Sequence, residues 1–472
     1  MKYLLALLLS LIAAGNCFAA VAATRVYEVR PTTGSNLNGG CYDSAFTGVG
    51  GSIDYTYTTP TVFSFTDLTA VASTTVTSAS NPFTAAMVGN CIHFESGVAG
   101  TPGFFVITAF TSAGQVTIDT SVTWTTGVGK LGGATASISG QTTTTLGASL
   151  TLSNKVWIKN EAWNEAAVFS SGGSGGPAAI VEGYNLVRGD NPTGTSRPTN
   201  ARAGAGAIGL SVTGNFLIFK NLVVSGAGTI CWNIAGTAVT LINTRATACG
   251  AEGYKALTGG TVALLSCEAD LNTTIGVNLA VGPAIVSGCY LHHNTTTGLT
   301  NSSTSSVTIA RSIIARNTSF GIAITNVSQL ALLNNTIDCN SSAASCGSSA
   351  VDGLNISSGN YVKIGSMMVG NIFSNNGRDG IRQVSVQADT VWTDYNNYFG
   401  NVGTARTNIS AGPHDLALNP AFANAAAGDY AIGTALQAQG WPGLFPASTT
   451  TGYLDVGAVQ QRGGGNVFNI FP

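Results

Sequence analysis

The chain has 472 residues, of which only 8% are charged, and its formal net charge is −2. A typical soluble domain is about 25% charged. So weak a charge balance offers no basic surface for a phosphate backbone, which argues against nucleic acid as a partner. Glycine contributes 60 residues, and the polar residues are mainly threonine, serine and asparagine, a composition that favours β structure over helices.

The N-terminus has the pattern of an export signal. A basic start at Lys2 precedes an almost unbroken apolar run over residues 4–14, and small residues permit cleavage before Ala20. A membrane-spanning helix needs about 20 apolar residues, so this run is too short to cross a bilayer. Residues 1–19 are therefore predicted to be a signal peptide and no membrane span is predicted. The mature protein is expected to be secreted, with the periplasm or cell surface as alternatives.

The part that follows the predicted signal differs from the rest of the chain. Residues 20–58 are predicted to form an N-terminal strand and a cap. Over residues 59–139, short β runs such as 104–108 and 115–119 alternate with turn residues, which predicts a small β-sandwich or barrel-like insertion. An open end of a stacked sheet exposes unpaired strand edges, so a cap of this kind is physically required.

Between Asn221 and Gly400 the sequence repeats at a nearly constant interval. The landmark is a glycine followed by an apolar or aromatic residue, at spacings of 23, 22 and 23, and it returns twice after an insertion. These glycines are Gly253, Gly276, Gly298, Gly321, Gly353 and Gly380. A turn-rich unit of this length with short alternating strands is typical of one coil of a parallel β-helix, which buries its apolar face only by stacking on its neighbours.

Other positions keep step with the landmark glycine. Seven and nine residues before it, the side chains are apolar, small or amide-bearing, which predicts that both columns point inward. Four residues before it stands a column that is mostly asparagine, and its stacked amides are predicted to bond along the coils at a bend. The members of this column are Cys249, Asn272, Asn294, Asn317 and Asn376.

The repeats resemble those of bacterial secreted right-handed parallel β-helix proteins, the pectate-lyase-like superfold. The segments that carry the resemblance are 333–337 and 370–376 in the repeats, and 419–422, 428–430 and 455–458 in the closing part of the chain. The resemblance implies an all-β, right-handed parallel β-helix of 22- to 23-residue coils over residues 140–410. It also implies a C-terminal capping segment, at residues 411–472.

Nine cysteines, less Cys17 in the predicted signal peptide, leave eight. An even number in an exported protein favours disulfides. Cys339 and Cys346 bracket a short stretch of serine and alanine that has the composition of a loop, and they are predicted to pair. Cys41 with Cys91 is a second candidate pair, and the pairing of the other cysteines stays open.

Polar residues suitable for catalysis occur at the outward positions six and eight residues before the landmark. Adjacent coils place five of them together: Arg245, Glu268, Asp270, Tyr290 and His292. Because stacked coils lie about 4.8 Å apart, Arg245 is expected beside Glu268, and His292 beside Asp270. Two carboxylates can act as general acid and base on a glycosidic bond, with His292 as a proton carrier. Arg245 and Tyr290 are then candidates for substrate binding.

The alternative interpretation of these five residues is an ordinary solvated polar surface with weak ion pairs. No metal or cofactor is predicted. A bound Ca²⁺ ion is unsupported, because a calcium site normally needs more oxygen ligands than two acids in register provide. The acidic calcium ligands of pectate lyases are missing. So is the polygalacturonase set of three aspartates with a Gly-His-Gly segment.

Three functions stay open at this point. The first is a non-catalytic protein that binds an extracellular polysaccharide or a cell-surface glycan, favoured by the repetitive, uncharged exterior. The second is a polysaccharide lyase or glycoside hydrolase that uses Glu268, Asp270 and His292. The third is a phage tailspike-like fibre, which shares the coil geometry but which the export signal disfavours.

Overall fold

The computed structural model describes fifteen stretches of the chain: residues 25–43, 53–57, 62–98, 103–136, 155–170, 178–257, 260–280, 282–326, 329–341, 346, 351–357, 365–385, 391–444, 451–462 and 466–467. The predicted signal peptide lies outside these residues. The chain divides into two compact units. The first comprises Arg202–Val212 and Val223–Pro472, and the second comprises Asn16–Ala201 and Thr213–Leu222.

The first unit contains three parallel sheets, in which each strand pairs with the equivalent strand of the next coil. Sheet A has the strands Val239–Ile242, Val262–Leu265, Ala284–Ser287, Val307–Ala310, Leu330–Leu333, Ser366–Val369 and Val391–Asp394. Sheet B has the strands Val223–Ser225, Arg245–Thr247, Glu268–Asp270, Tyr290–His292, Ile313–Ala315, Thr336–Asp338, Ile372–Ser374 and Asn397–Phe399. Sheet C has the strands Leu210–Val212, Trp232–Ile234, Tyr254–Ala256, Val277–Leu279, Leu299–Asn301, Ile322–Ile324, Leu354–Ile356, Ile381–Gln383 and Arg406–Thr407.

The landmark glycines lie in register, one coil above the next, as the sequence predicts. A Cβ atom added to Gly276 would lie 2.6 Å from the carbonyl oxygen of Gly298 and 2.7 Å from Nδ2 of Asn294. A side chain at this position would collide with the backbone of the next coil, which explains why glycine recurs there. The predicted fold class, an all-β right-handed parallel β-helix, is confirmed.

The inward columns are also as predicted. Seven residues before the landmark, Ala246, Ala269, Leu291 and Ile314 are all 0% exposed. In the predicted column, asparagines form a ladder in which each Nδ2 donates to Oδ1 of the asparagine in the next coil at 2.8 to 3.1 Å. Among the described residues the ladder includes two asparagines that the pattern did not predict, Asn340 and Asn401, and its members are Asn272, Asn294, Asn317, Asn340, Asn376 and Asn401.

A second ladder occupies the turn between sheets A and B, nine residues before the landmark. In the later coils, Asn335 donates through its Nδ2 to Oδ1 of Asn371 at 3.0 Å, and Asn371 to Asn396 at 2.9 Å. Earlier in the chain, the backbone N–H of Cys289 donates to Oγ of Ser312 at 3.1 Å. These contacts satisfy polar groups that coil stacking would otherwise bury without a partner.

The C-terminal part of the first unit packs on the outer face of sheet B. One apolar cluster joins Tyr430, Ala458 and Val459 to Ile313 and Ala315 of the sheet. The second cluster, farther along the same sheet, is Ile372, Ile432, Leu436 and Val456. The elements of this segment are the 3-10 helices Ala425–Ala427 and Thr434–Leu436 and the strands Pro442–Leu444, Thr451–Tyr453, Gln461–Arg462 and Asn466–Val467.

The strands of the second unit are described by themselves, as a mainly parallel group and an antiparallel sheet, which we name sheets D and E. Sheet D has the parallel strands Val26–Val29, Lys155–Lys159, Ala179–Tyr184 and Leu217–Lys220, with Cys41–Tyr42 antiparallel at its edge. Sheet E is antiparallel, with the strands Phe63–Ser78, Cys91–Gly97, Gly103–Ser112 and Gln115–Leu131. The remaining elements are the strands Ala167–Phe169 and Thr199–Ala201 and the 3-10 helices Ala85–Met87 and Gly194–Ser196. The segment boundaries given under Sequence analysis stay predictions.

Three disulfides are present among the described residues. Cys339 pairs with Cys346 and Cys41 with Cys91, the two pairs that the sequence favoured, and Cys231 pairs with Cys249, which it left open. Cys267 and Cys289 are buried thiols. Within the part of the chain that the structure describes, no helix is long and apolar enough to cross a membrane.

Candidate functional site

The five candidate side chains lie on three successive strands of sheet B. The backbone register sets Arg245 opposite Glu268 and Asp270 opposite His292, as expected from the spacing. Glu268 is also opposite Tyr290 in the following coil. The stacking of equal coils therefore assembles all five residues, which we call the sheet B cluster.

The side chains of the sheet B cluster connect diagonally rather than straight along the stack. Arg245 donates through Nε and Nη2 to the two oxygens of Asp270, at 2.8 and 2.7 Å. Its Nε is 3.4 Å from Oε2 of Glu268. The oxygen Oδ2 of Asp270 also accepts a hydrogen bond from Oγ1 of Thr247 at 3.0 Å. The hydrogen bond to Asp270 raises the pKa of Arg245 above its ordinary value.

His292 contacts Glu268 rather than Asp270, its neighbour in register. Its Nε2 lies 3.2 Å from Oε1 of Glu268, and its Nδ1 lies 2.7 Å from Nδ1 of His293. Burial lowers the pKa of His293, and the nearby His292 and Arg316 act in the same direction.

The ring of Tyr290 is already in contact with protein groups. It stacks on the ring of His292, with centroids 3.8 Å apart, and meets Tyr430 of the C-terminal segment edge to face at 6.3 Å. Burial raises the pKa of Tyr290 to about 12. Tyr290 thus joins the cluster to the C-terminal segment, and one ring face is covered by His292.

Exposure to solvent differs within the sheet B cluster: Asp270 is buried, whereas Arg245, Glu268 and His292 are partly exposed and form what we call its accessible edge. Asp270 is only 1% exposed, although the alternation of the strand predicted an outward residue at this position. Arg245, Glu268 and His292 keep side-chain exposures of 30%, 22% and 13%. Asp270 points outward, but Arg245 and Thr247 cover its carboxylate.

Residues that the sequence analysis did not select continue the same face of sheet B. Asp338 is buried and accepts hydrogen bonds from Oγ of Ser374 at 2.6 Å and Nδ2 of Asn375 at 2.9 Å. Burial raises the pKa of Asp338 in spite of these bonds. Its column, six residues before the landmark, is the column of Asp270 and His292. The insertion after Cys339 hides this match in the sequence.

The donor set can be compared with the needs of a metal ion. Glu268, Asp270 and His292 each offer one ligand atom, and these atoms lie within 4.8 Å of one another. However, both oxygens of Asp270 already bind Arg245. Ca²⁺ usually binds about six to eight oxygen ligands. The residues present do not fit a calcium site, because one carboxylate is engaged and one candidate ligand is a nitrogen.

No protein-family model and no curated protein sequence matches the chain. Among solved structures, the chain is similar to the pectate lyase Pel9A, with 13% identity and a TM-score of 0.43 over 67% of this chain and 90% of that chain. It is also similar to the A-module of the Azotobacter vinelandii mannuronan C-5 epimerase AlgE6, with 13% identity and a TM-score of 0.36 over 56% of this chain and 89% of that chain. The catalytic domain of a GH87 alpha-1,3-glucanase gives 11% identity and a TM-score of 0.24 over 78% of this chain and 91% of that chain. Similarity at this level concerns the fold and leaves the activity to be argued from the site.

Proposed function

We propose that the protein is an exported β-helix protein that binds an extracellular polysaccharide or cell-surface glycan without cleaving it. One observation carries the proposal: both oxygens of Asp270 are bonded to Arg245, and the carboxylate is almost fully buried. Hydrolysis by two carboxylates requires both to reach the glycosidic bond or a water molecule beside it. Asp270 is instead a positioning residue for Arg245.

The accessible edge of the sheet B cluster has the chemistry of a glycan contact. Arg245 offers guanidinium donors and Glu268 offers a carboxylate acceptor, and both side chains are partly exposed. Sugars present alternating hydroxyl donors and acceptors, which such planar groups bind in fixed directions. The disulfides support export, because they persist in oxidising compartments.

Binding and turnover are separated by one set of assays. The full-length protein is incubated with a panel of insoluble and soluble glycans, and both bound protein and new reducing ends or unsaturated products are measured. We expect retention on at least one glycan without products, and an affinity about tenfold weaker for Glu268→Gln. Glu252→Gln, which changes a charge near sheet C in the same unit, is the matched control and should bind as wild type.

The second candidate function is a polysaccharide lyase or glycoside hydrolase, favoured by the 3.2 Å contact between Glu268 and His292. A carboxylate and an imidazole in contact can pass a proton to or from a substrate. Product formation that Glu268→Gln and His292→Gln both abolish would establish this function and refute the binding proposal. Activity that survives Asp270→Asn would agree with a positioning role for Asp270.

A further inference from the structure

A pocket of about 580 Å³ opens on the second unit. It lies between the residues that follow the strand Lys155–Lys159 and the strand Thr199–Ala201. Its wall includes Asn160, Glu161, Trp163, Asn164, Thr199 and Ala201. Ligand pockets usually measure about 300–1,000 Å³, so the volume suits a small organic molecule.

The wall of the pocket is held rigid by buried polar contacts. Asn200 is 0% exposed, and its side chain accepts from the backbone N–H of Glu165 at 3.0 Å and donates to the carbonyl of Glu165 at 2.8 Å. Trp163 is 3% exposed and donates through Nε1 to Oε2 of Glu165 at 3.0 Å. A pocket formed in advance binds a ligand with little loss of conformational entropy.

Glu161 provides a fixed acceptor at the rim. The backbone N–H groups of Thr32 and Thr33 donate to its Oε2 at 2.8 and 3.0 Å, and Oγ1 of Thr33 donates to Oε1 at 2.7 Å. Burial acts to raise the pKa of Glu161, but the hydrogen bonds from Thr33 and Thr32 outweigh it and lower the pKa. The carboxylate is therefore ionised at neutral pH and oriented before any ligand arrives.

The lining combines an apolar surface with polar groups around it. The apolar surface comes from Ala162, Trp163 and Ala201, and the amide and hydroxyl groups come from Asn160, Asn164 and Thr199. A pyranose has C–H groups on its faces and hydroxyls at its edge, which matches this division. An ionised Glu161 accepts hydrogen bonds from hydroxyls and repels a carboxylate.

We infer that this pocket, which is open to solvent, binds a neutral sugar, as a single sugar unit or a short oligosaccharide. The inference goes beyond the proposed function, because the pocket shares no residue with the sheet B cluster.

The test uses the full-length protein and saturation-transfer NMR with glucose, galactose, xylose and cellobiose, and with glucuronic acid as the acidic contrast. We expect saturable binding of at least one neutral sugar and weaker binding of glucuronic acid. Ala201→Trp, which fills the pocket, should weaken that binding at least about tenfold. Ala166→Trp places the same ring at an exposed alanine that does not line the pocket, and it should bind as wild type.

Three outcomes would overturn the inference: no neutral sugar bound by the wild type, binding unchanged by Ala201→Trp, or equal loss in Ala166→Trp. If Ala201→Trp does not fold, as judged by circular dichroism, Asn164→Ala replaces it, because Asn164 is exposed. The polymer assay of Glu268→Gln is independent of these variants. Failure of the pocket is therefore distinguishable from failure of the sheet B site.

Discussion

Arg245 binds both carboxylate oxygens of Asp270, although the backbone register places Arg245 opposite Glu268. The guanidinium thus reaches diagonally across the two coils. This leaves Glu268 to contact His292 on the other side. The polar side chains of the sheet B cluster are consequently connected across three coils instead of lying in separate pairs.

The ion pair of Arg245 and Asp270 is expected to contribute to stability. Removing one partner of a buried pair costs roughly 3–5 kcal/mol, and the partial exposure of Arg245 reduces this figure. We expect Arg245→Ala to lower the free energy of unfolding by about 2 kcal/mol, measured by urea denaturation. Lys255→Ala breaks the pair with Glu252, an acid that is more exposed than Asp270, and should cost less than about 1 kcal/mol. Equal losses in the two variants would contradict this account.

The stability of the protein should depend on pH through Asp338. Burial raises its pKa above 3.8, against the hydrogen bonds from Ser374 and Asn375 and the charge of Arg316. The folded state then holds this proton more tightly than the unfolded chain. The contribution is present below the unfolded pKa and is lost as the pH rises through the folded pKa.

Asp338→Asn removes this titration, so its free energy of unfolding should fall less than that of the wild type as the pH rises from about 4 towards 7. Asp67→Asn is a control of opposite sign, because a hydrogen bond from Ser78 lowers the pKa of Asp67. That variant should lose less stability than the wild type as the pH falls from about 4 towards 2. Parallel stability–pH curves for Asp338→Asn and wild type would refute the role assigned to Asp338.

The asparagine ladder should be intolerant of interruption. Asn294 is 0% exposed, accepts from Nδ2 of Asn272 at 2.8 Å and donates to Oδ1 of Asn317 at 2.9 Å. Asn294→Ala leaves buried amide groups unsatisfied, at about 1–3 kcal/mol each. We expect a loss of about 2 kcal/mol in urea denaturation. Thr295→Ala, at the exposed next position, should change stability by less than about 0.5 kcal/mol.

A stabilising substitution is expected at Leu271. This residue is 57% exposed and has a φ of 56°, in the left-handed region that disfavours most side chains. Asparagine tolerates that region, and Asn375 occupies the equivalent turn with a φ of 53°. Leu271→Asn should therefore increase the free energy of unfolding by about 0.5–1 kcal/mol and raise the melting temperature. An unchanged or lower melting temperature would show that Leu271 makes a contact that outweighs its backbone strain.

The sequence predicted the coil architecture because the constraint is local and repeated. From Gly253 to Gly380, the equivalents of Gly276 leave no room for a side chain, so the period of the coils can be counted from the sequence. Asn340 was not predicted as a member of the ladder, because the insertion places it thirteen residues before Gly353 instead of four. Strand parity correctly placed Arg245 and Glu268 on one face.

The contacts within the sheet B cluster were less predictable. Arg245 has several rotatable bonds, so register alone does not decide between Glu268 and Asp270 as its partner. The burial of Asp270 depends on the covering guanidinium, and the position of Tyr290 depends on Tyr430, which lies 140 residues later in the chain. Parity distinguishes the two faces of a strand, but side-chain direction and distant packing decide what remains accessible.

The amides of the asparagine ladder all point the same way, since every Nδ2 donates towards the C-terminal coils. A duplicated coil that carries its own asparagine could be inserted at any step and would find an acceptor ahead and a donor behind. A coil without an asparagine would leave the ladder amides of both neighbouring coils without a hydrogen-bond partner. This polarity gives the repeat a simple rule for lengthening in evolution, in which gene duplication preserves the structure as long as the asparagine is copied with the coil.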